Sequence, residues 1–307
     1  MIRLNADGPR LRPRSGEVLP CFRTASAGPG PIIVMIHGYK YLPGHPDHCP
    51  HHKILSMHPN VSCVKMQSWP RRLGFGAGHT DEGLGLAFGW NARGALWTAR
   101  RSAVAAGAAL AEAIAQLHRH NPRRPLHILS HSMGTEVALE ALRQLPPGSV
   151  QRILSMTGAC YASRAQSALA SPAGQQADFI NVVSRENDAF DFLYERILAP
   201  PTRGDRSIGQ GLTADNAVTI QIDCPRTLAH LDRLGHPIAG PERRICHWSS
   251  YTRHGILRFY NDLMRQPERL PLRVLRQGMP QDPDPRWSRL LVRPRVPAPL
   301  PYLPNAS

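Results

Sequence analysis

The sequence predicts an α/β fold in which helices cover both faces of a mostly parallel central sheet. Three observations lead to this prediction. The run Ile32–Ile36 is continuous, apolar and β-branched, which is typical of a strand buried on both faces. Runs of this kind alternate with helical segments along the chain, as in parallel sheets. The 307 residues, 42% of them hydrophobic, suffice for one large buried core.

Each predicted strand is a short apolar run that ends at Gly, Pro or a polar turn, and each predicted helix carries apolar residues at helical spacing. We expect strands at 18–22, 32–36, 61–69, 126–129, 152–157, 179–184 and 217–223. We expect helices at 93–119, 135–145, 162–171 and 255–264.

The alternation of strands and helices predicts a single domain over residues 16–266. Within it, residues 39–92 are rich in Pro, His and Gly, and we expect them to form a long loop that acts as a lid or lines a cleft. Residues 267–307 hold many Pro and Arg residues and little periodicity. This composition predicts an irregular C-terminal extension.

The formal charge of +15 raises the question of a nucleic-acid or anionic membrane partner. Only three of the 37 basic residues are lysines, however, so that the charge reflects a general preference for arginine. No aromatic pattern typical of RNA binding accompanies the arginines, and we therefore expect no nucleic-acid partner. Contact between the arginine-rich tail and a membrane surface stays open as an additional property.

Several absences in the sequence predict a cytoplasmic protein. The first residues have no apolar signal-peptide core, and no run of about 18 apolar residues is present. The six cysteines form no Cys-x-x-Cys pair. In a chain of this length they are expected to be reduced thiols.

The segment Ser130-His131-Ser132-Met133-Gly134 has the strongest chemical content in the chain. It forms a tight turn between a predicted strand and a predicted helix, with Ser132 at its apex. A serine at such a turn has an exposed hydroxyl that can act as a nucleophile. The alternative is structural, since Ser132 could simply cap the helix that follows.

This strand, turn and helix resemble the nucleophile elbow of α/β-hydrolases, whose pattern is Gly-x-Ser-x-Gly. Ser130 replaces the first Gly of the pattern, but serine is small enough for the turn to survive. Other parts of the chain resemble uncharacterised bacterial α/β-hydrolase-fold proteins, namely 37–41, 68–76, 88–94, 185–188 and 247–251. The resemblance spans about residues 30–266 and implies the fold and a catalytic triad, but it says little about the substrate.

The resemblance implies that the acid of the triad lies after a strand beyond Ser132. The apolar run 179–184 opens into a polar loop that contains Asp188, which we predict to be the acid. Asp191 and Glu186 are alternatives in the same loop.

The base is expected after the strand at 217–223 and before the last helix. His247 lies in an irregular stretch there and is the predicted base. His254 is the alternative, although it adjoins the helix start and could be a capping or surface residue.

Two backbone donors are needed for the oxyanion. The resemblance implies that the N–H of Met133, just after the nucleophile, is the first. The second is expected from Gly38 or Tyr39, in a His-Gly turn that follows the strand at 32–36. The candidate substrate-binding residues are His37, His131, Trp69 and Trp90.

The segment 45–52 is rich in histidine and also contains Cys49, a density that resembles a metal site. Prolines interrupt it and no second ligand cluster has matching spacing, so we expect a loop near the oxyanion turn and no metal or other cofactor.

Together these residues predict a serine hydrolase that cleaves a small-molecule carboxylic ester, or a thioester, through an acyl-enzyme. Ser132 would be the nucleophile, His247 the base and Asp188 the acid. The alternative is a catalytically silent binding or scaffold protein on the same fold, because a fold does not fix a function.

Overall fold

The computed structural model describes residues 1–12, 22–60 and 67–291. In these residues one eight-stranded sheet has the order β2-β1-β4-β3-β5-β6-β7-β8. Only β2 runs antiparallel to its neighbour. The strands are β1 (Ile2–Asp7), β2 (Arg10–Arg12), β3 (Ile32–Ile36), β4 (Leu84–Gly89), β5 (Leu126–His131), β6 (Arg152–Met156), β7 (Asp178–Val183) and β8 (Ala217–Gln221).

Helices cover both faces of the sheet, which confirms the predicted fold class. They are α1 (Phe22–Ser26), α2 (Trp69–Arg72), α3 (Leu96–His120), α4 (Gly134–Leu142), α5 (Ala162–Leu169), α6 (Asp188–Ile197), α7 (Pro225–Arg233), α8 (Ser249–Thr252), α9 (Ile256–Arg265), α10 (Leu272–Arg276) and α11 (Ser288–Leu291).

The central strand β3 explains why its sequence is apolar without interruption. Ile32, Val34 and Ile36 enter the core on one face of the sheet, together with residues of α3 and α4. Ile33 and Met35 enter the core on the other face, where α9 packs. Since neighbouring side chains of a strand point to opposite faces, a strand covered on both faces needs apolar residues at every position.

Close packing of α3 against α4 fixes the helix that follows the Ser132 turn. A Cβ atom on Gly107 of α3 would lie only 2.6 Å from the Cβ of Glu140 on α4. The many alanines of α3 allow the same close approach along its length. The start of α4, and with it the turn before it, is therefore held against a rigid neighbour.

The segment 39–92, expected to be a long loop, contains strand β4 between β1 and β3. The prediction of a loop was wrong. Glycines at 83, 85 and 89 interrupt the apolar residues, so the sequence shows no continuous apolar run there. The predicted strands at 18–22 and 61–69 fall largely on 13–21 and 61–66, which lie outside the described residues. Trp69 begins α2, where the side chain of Ser68 accepts a hydrogen bond from the Arg71 N–H.

Folded structure extends on both sides of residues 16–266. Strand β1 pairs with β4 in the sheet, and Leu272 and Leu275 of α10 are buried in the second core. Of the proposed extension, 292–307 lies outside the described residues.

No described helix has the length and apolar character needed to cross a bilayer. The four cysteines that the structure describes, at positions 49, 160, 224 and 246, are buried free thiols.

Candidate active site

Ser132 has the strained backbone of a sharp turn between strand β5 and helix α4. Its φ is +53°, in the left-handed region that a non-glycine residue rarely adopts. The turn is held from both sides, since the Ser132 N–H donates to the Met156 carbonyl and the Ser132 carbonyl accepts from Ala159, both at 3.0 Å. Held in this way, Ser132 lies at a cavity beside the carboxyl ends of the strands.

Small residues let the turn approach strand β3. A Cβ on Gly134 would lie 2.6 Å from the carbonyl oxygen of His37, so that only glycine fits there. Ser130 is accommodated by hydrogen bonds, because its hydroxyl lies 3.1 Å from the hydroxyl of Thr135, which in turn lies 3.0 Å from that of Ser155. The serine at the first small position of the turn therefore forms part of a buried hydroxyl network.

Ser132 lies at a cavity of about 560 Å³, which we call the Ser132 cavity. His131, Met133, Tyr39 and His247 also line it. Its remaining wall is largely apolar and comes from the start of α3 and from α6. These wall residues include Leu96, Trp97, Phe190, Leu193, Tyr194 and Ile197.

Two histidines line this cavity, His131 and His247. The ring of His247 is the one that donates to a side-chain oxygen. Its Nδ1 lies 2.6 Å from Oδ1 of Asn187. Because an amide oxygen can only accept, Nδ1 carries the proton and Nε2 is left as the basic nitrogen. Burial lowers the pKa of His247 well below its usual value, so that the ring is neutral at pH 7. Its rival His254 is exposed and does not line the cavity.

The backbone of His247 is bound to the Ser132 turn. Nε2 of His131 lies 3.2 Å from the His247 carbonyl oxygen and donates to it. The hydroxyl of Thr157 lies 3.4 Å from the same oxygen. Burial lowers the pKa of His131 to about 4, so that it acts as a neutral donor. The loop that carries His247 is thus attached to the residue preceding Ser132.

Asn187, which the sequence did not single out, occupies the position predicted for the acid. It caps α6, one residue before the predicted Asp188. The same side chain lowers the pKa of the Asp191 carboxyl, four residues further along the chain, through hydrogen bonding. Since Oδ1 of Asn187 faces His247, the amide nitrogen is the donor to Asp191.

The structure does not bring Asp188 to His247. One oxygen of its carboxylate lies 3.5 Å from the guanidinium of Arg185, and the other accepts the backbone N–H of Trp287. Successive residues of a helix point about 100° apart, so a shift of one residue turns the side chain away from the cavity. Glu186, the other rival, is paired with Arg253.

The oxyanion candidates meet at the Ser132 cavity. Met133 and Tyr39 line it, and a Cβ on Gly38 would lie 2.8 Å from the Cβ of Ser132. Within the described part of the chain, the backbone N–H groups of Met133 and Tyr39 have no hydrogen-bond partner. These two donors are therefore available to a ligand oxygen beside Ser132.

Of the four predicted substrate-binding residues, His131 lines the Ser132 cavity and the other three lie outside it. His37 is fully buried, and its ring donates to the Gly38 carbonyl at 2.9 Å and accepts from the Trp90 N–H at 3.1 Å. Burial lowers the pKa of His37 to about 4, so it stays neutral. Trp90 stacks on His37, and Trp69 packs edge-on against Tyr251. These three side chains are buried next to the residues that line the cavity.

The histidine-rich segment 45–52 forms a folded loop near the edge of the sheet. His51 lies 2.7 Å from the side-chain oxygen of Asn5, and the sulfur of Cys49 accepts from the Gly44 N–H. Among the described residues, no three His, Cys, Asp or Glu side chains are grouped so that they could hold a metal ion.

Helix α6, which forms part of the cavity wall, was not predicted from the sequence, and neither was the role of Asn187. Helix α6 has apolar residues at 190, 193 and 197, which is helical spacing, next to polar residues at 188 and 191. That pattern was the available signal for a helix, and it would have placed 187 and 191 on one face.

The mostly parallel eight-stranded sheet with helices on both faces is the arrangement of the α/β-hydrolase fold. The model of a family described as alpha/beta hydrolase of unknown function (DUF900) matches residues 27–156, which include Gly38, Tyr39 and Ser132. Comparison with curated proteins gives no match.

Proposed function

We propose that this protein is a serine hydrolase that cleaves a carboxylic ester, or a thioester, through a covalent acyl-enzyme. One observation carries the proposal. Ser132, strained at the apex of its turn, shares a cavity with His247, whose Nδ1 is bound by Asn187. Nucleophile, oriented base and free backbone donors are the parts that acyl transfer needs.

In the proposed reaction, Oγ of Ser132 attacks the acyl carbonyl carbon while Nε2 of His247 takes the hydroxyl proton. The N–H groups of Met133 and Tyr39 receive the charge that develops on the carbonyl oxygen. The protonated His247 then gives its proton to the leaving alcohol or thiol. Water, activated by the same imidazole, releases the acid and restores Ser132.

Asn187 would hold the imidazole in the required tautomer, as the carboxylate of a triad does, but without a full charge. An amide oxygen stabilises the imidazolium less than a carboxylate, so we expect moderate turnover. No hydrogen bond joins Ser132 and His247 among the described residues, and such contacts often form only when substrate is bound.

The apolar wall favours an acyl group of hydrocarbon character. Trp97, Leu193 and Ile197 are roughly half exposed, at 57%, 52% and 47%, and all three line the Ser132 cavity. Exposed large apolar side chains at a cavity mouth are costly unless a ligand covers them. An aliphatic acyl chain against this wall would bury them.

The test is labelling with a fluorophosphonate probe, followed by turnover of p-nitrophenyl esters of increasing chain length. We expect the wild type to be labelled and Ser132→Ala not to be. His247→Ala should lose at least about 100-fold in turnover. Ser167→Ala and His254→Ala change exposed residues outside the cavity and are the matched controls.

A folded wild type that neither labels nor turns over any ester of the panel would contradict the proposal. The protein would then be a binding or scaffold protein on this fold.

A further inference from the structure

A buried acid, Asp191, lies next to Asn187 and has no role in the reaction proposed above. Asp191 is 2% exposed and lines the Ser132 cavity. One of its oxygens accepts the hydroxyl of Ser207 at 3.0 Å. A Cβ on Gly209 would lie 2.1 Å from its other oxygen, so the backbone at 209 presses directly on the carboxylate. The position of this group is therefore closely fixed.

The hydrogen bonds around Asn187 have a definite direction. Nδ1–H of His247 donates to Oδ1 of Asn187, and the amide nitrogen of Asn187 faces the carboxyl group of Asp191. An ionised carboxylate can only accept hydrogen bonds. It therefore holds the amide with its nitrogen inward and its oxygen toward His247. If the amide rotated by 180°, its nitrogen would donate to Nδ1 and force the proton to Nε2, where the base must be free.

We propose that Asp191 is the positioning acid of this site, acting on His247 through Asn187, so that the site works as a Ser132-His247-Asn187-Asp191 relay. This inference rests on the proposed hydrolase function. In it no proton is transferred to Asp191; the acid orients the amide, and the amide selects the tautomer in which Nε2 can accept the proton of Ser132.

The relay makes the reaction depend on the charge of Asp191. Burial raises the pKa of this carboxyl to about 7, against the opposing effects of Ser207, Asn187 and Arg185. Asp188 raises the same pKa, and the guanidinium of Arg286 also interacts with Asp191. Burial lowers the pKa of His247 well below its usual value, so the imidazole is already neutral near pH 7. A rise of activity across pH 7 would thus follow the ionisation of Asp191 and not that of the base.

The experiment compares the full-length wild type with Asp191→Asn, with Asn187→Asp, and with the double variant Asn187→Asp/Asp191→Asn, which exchanges the two side chains. Asp232→Asn, on the exposed surface of α7, is the control. Esterase activity is measured with p-nitrophenyl butyrate between about pH 5.5 and pH 9.

We expect Asp191→Asn to lower kcat by about 100-fold or more at about pH 8, with little change in KM, and to remove the rise across pH 7. The exchanged variant places a carboxylate directly on His247 and an amide behind it, and it should recover at least about tenfold of the loss. A wild-type kcat and pH profile in Asp191→Asn, or an exchanged variant no better than Asp191→Asn, would overturn the relay.

A second measurement separates the relay from the proposed function. The imidazole ¹⁵N chemical shifts of His247 report which nitrogen carries the proton, whether or not the protein hydrolyses an ester. We expect an Nδ1-protonated ring in the wild type and a mixture of tautomers in folded Asp191→Asn. Identical shifts in the two proteins would refute the relay even if Ser132 proves to be a nucleophile.

Discussion

Nε2–H of His131 donates a hydrogen bond to the backbone carbonyl of His247 over 3.2 Å. The two rings also lie 4.7 Å apart between centroids. The residue just before Ser132 thereby fixes the chain that carries His247, although His131 and His247 are 116 positions apart. Ser132 and His247 are aligned by this contact as well as by the sheet beneath them.

His131→Phe tests this contact, because it keeps an aromatic ring and removes the donor. The part-buried carbonyl of His247 would keep only the hydroxyl of Thr157 as a partner, and we expect the free energy of unfolding to fall by about 1 kcal/mol. We expect that loss in urea denaturation, together with a lower kcat because the base is held less firmly. A variant with unchanged stability and unchanged kcat would show that the contact does not position His247.

Gly38→Ala tests the close approach of the turn at Gly38 to Ser132 and the oxyanion role proposed for that turn. The added methyl would lie 2.8 Å from Cβ of Ser132 and 3.0 Å from the His131 carbonyl oxygen, so the turn must shift. A displaced Tyr39 N–H is expected to lower kcat by about 100-fold, as loss of one oxyanion donor does. Rates of fluorophosphonate labelling measure the effect. Gly240→Ala, where a Cβ meets nothing within 4 Å, is the control and should label like the wild type.

Asp191→Asn should stabilise the protein at high pH while impairing activity. The folded pKa of Asp191, about 7, lies above its unfolded value, so the folded state holds a proton that the unfolded state has lost between roughly pH 4 and pH 7. Wild-type stability therefore falls as pH rises through this window and is lowest above it. We expect the Tm of Asp191→Asn to exceed that of the wild type at about pH 8, and the difference to shrink at about pH 5. A difference that does not change with pH would mean that Asp191 does not titrate there.

Leu193→Ser tests the apolar wall of the Ser132 cavity. Leu193 is about half exposed at the cavity and would be covered by a long acyl chain. We expect KM for p-nitrophenyl octanoate to rise by about tenfold and KM for the acetate to change little, since the apolar contact is lost only with the longer chain. Ile245→Ser changes an equally exposed apolar residue outside the cavity and is the control. Equal changes for both esters would place the acyl group elsewhere.

The centre of the fold could be predicted from the sequence because its strands are covered on both faces. Strand β3 is apolar at every position, and β5 and β7 contain short apolar runs that are recognised without knowledge of their partners. The turn at Ser132 followed from its place between a strand and a helix. Strand β4 was missed because its glycines resemble a loop, although burial against β1 and β3 makes it a strand.

The residue that binds Nδ1 of His247 could not be predicted, since its identity depends on where α6 begins. A helix that starts one residue earlier or later would present Asp188 in place of Asn187, and no feature of the polar loop fixes that boundary. The roles of Trp69 and Trp90 were equally open, because an aromatic residue near a cleft has the same sequence signature in the core as in a pocket. The structure buries both.

Helix α6 carries Asn187 at its cap and Leu193 and Ile197 on the side that faces the cavity. This one helix therefore holds both the amide that binds the imidazole of His247 and the apolar side chains proposed to contact the acyl chain. On the proposed function, an ester too long for the cavity would press against this helix and move the amide of Asn187 away from the ring of His247. Esters of different chain length would then differ in the rate of the chemical step, in addition to any difference in binding affinity.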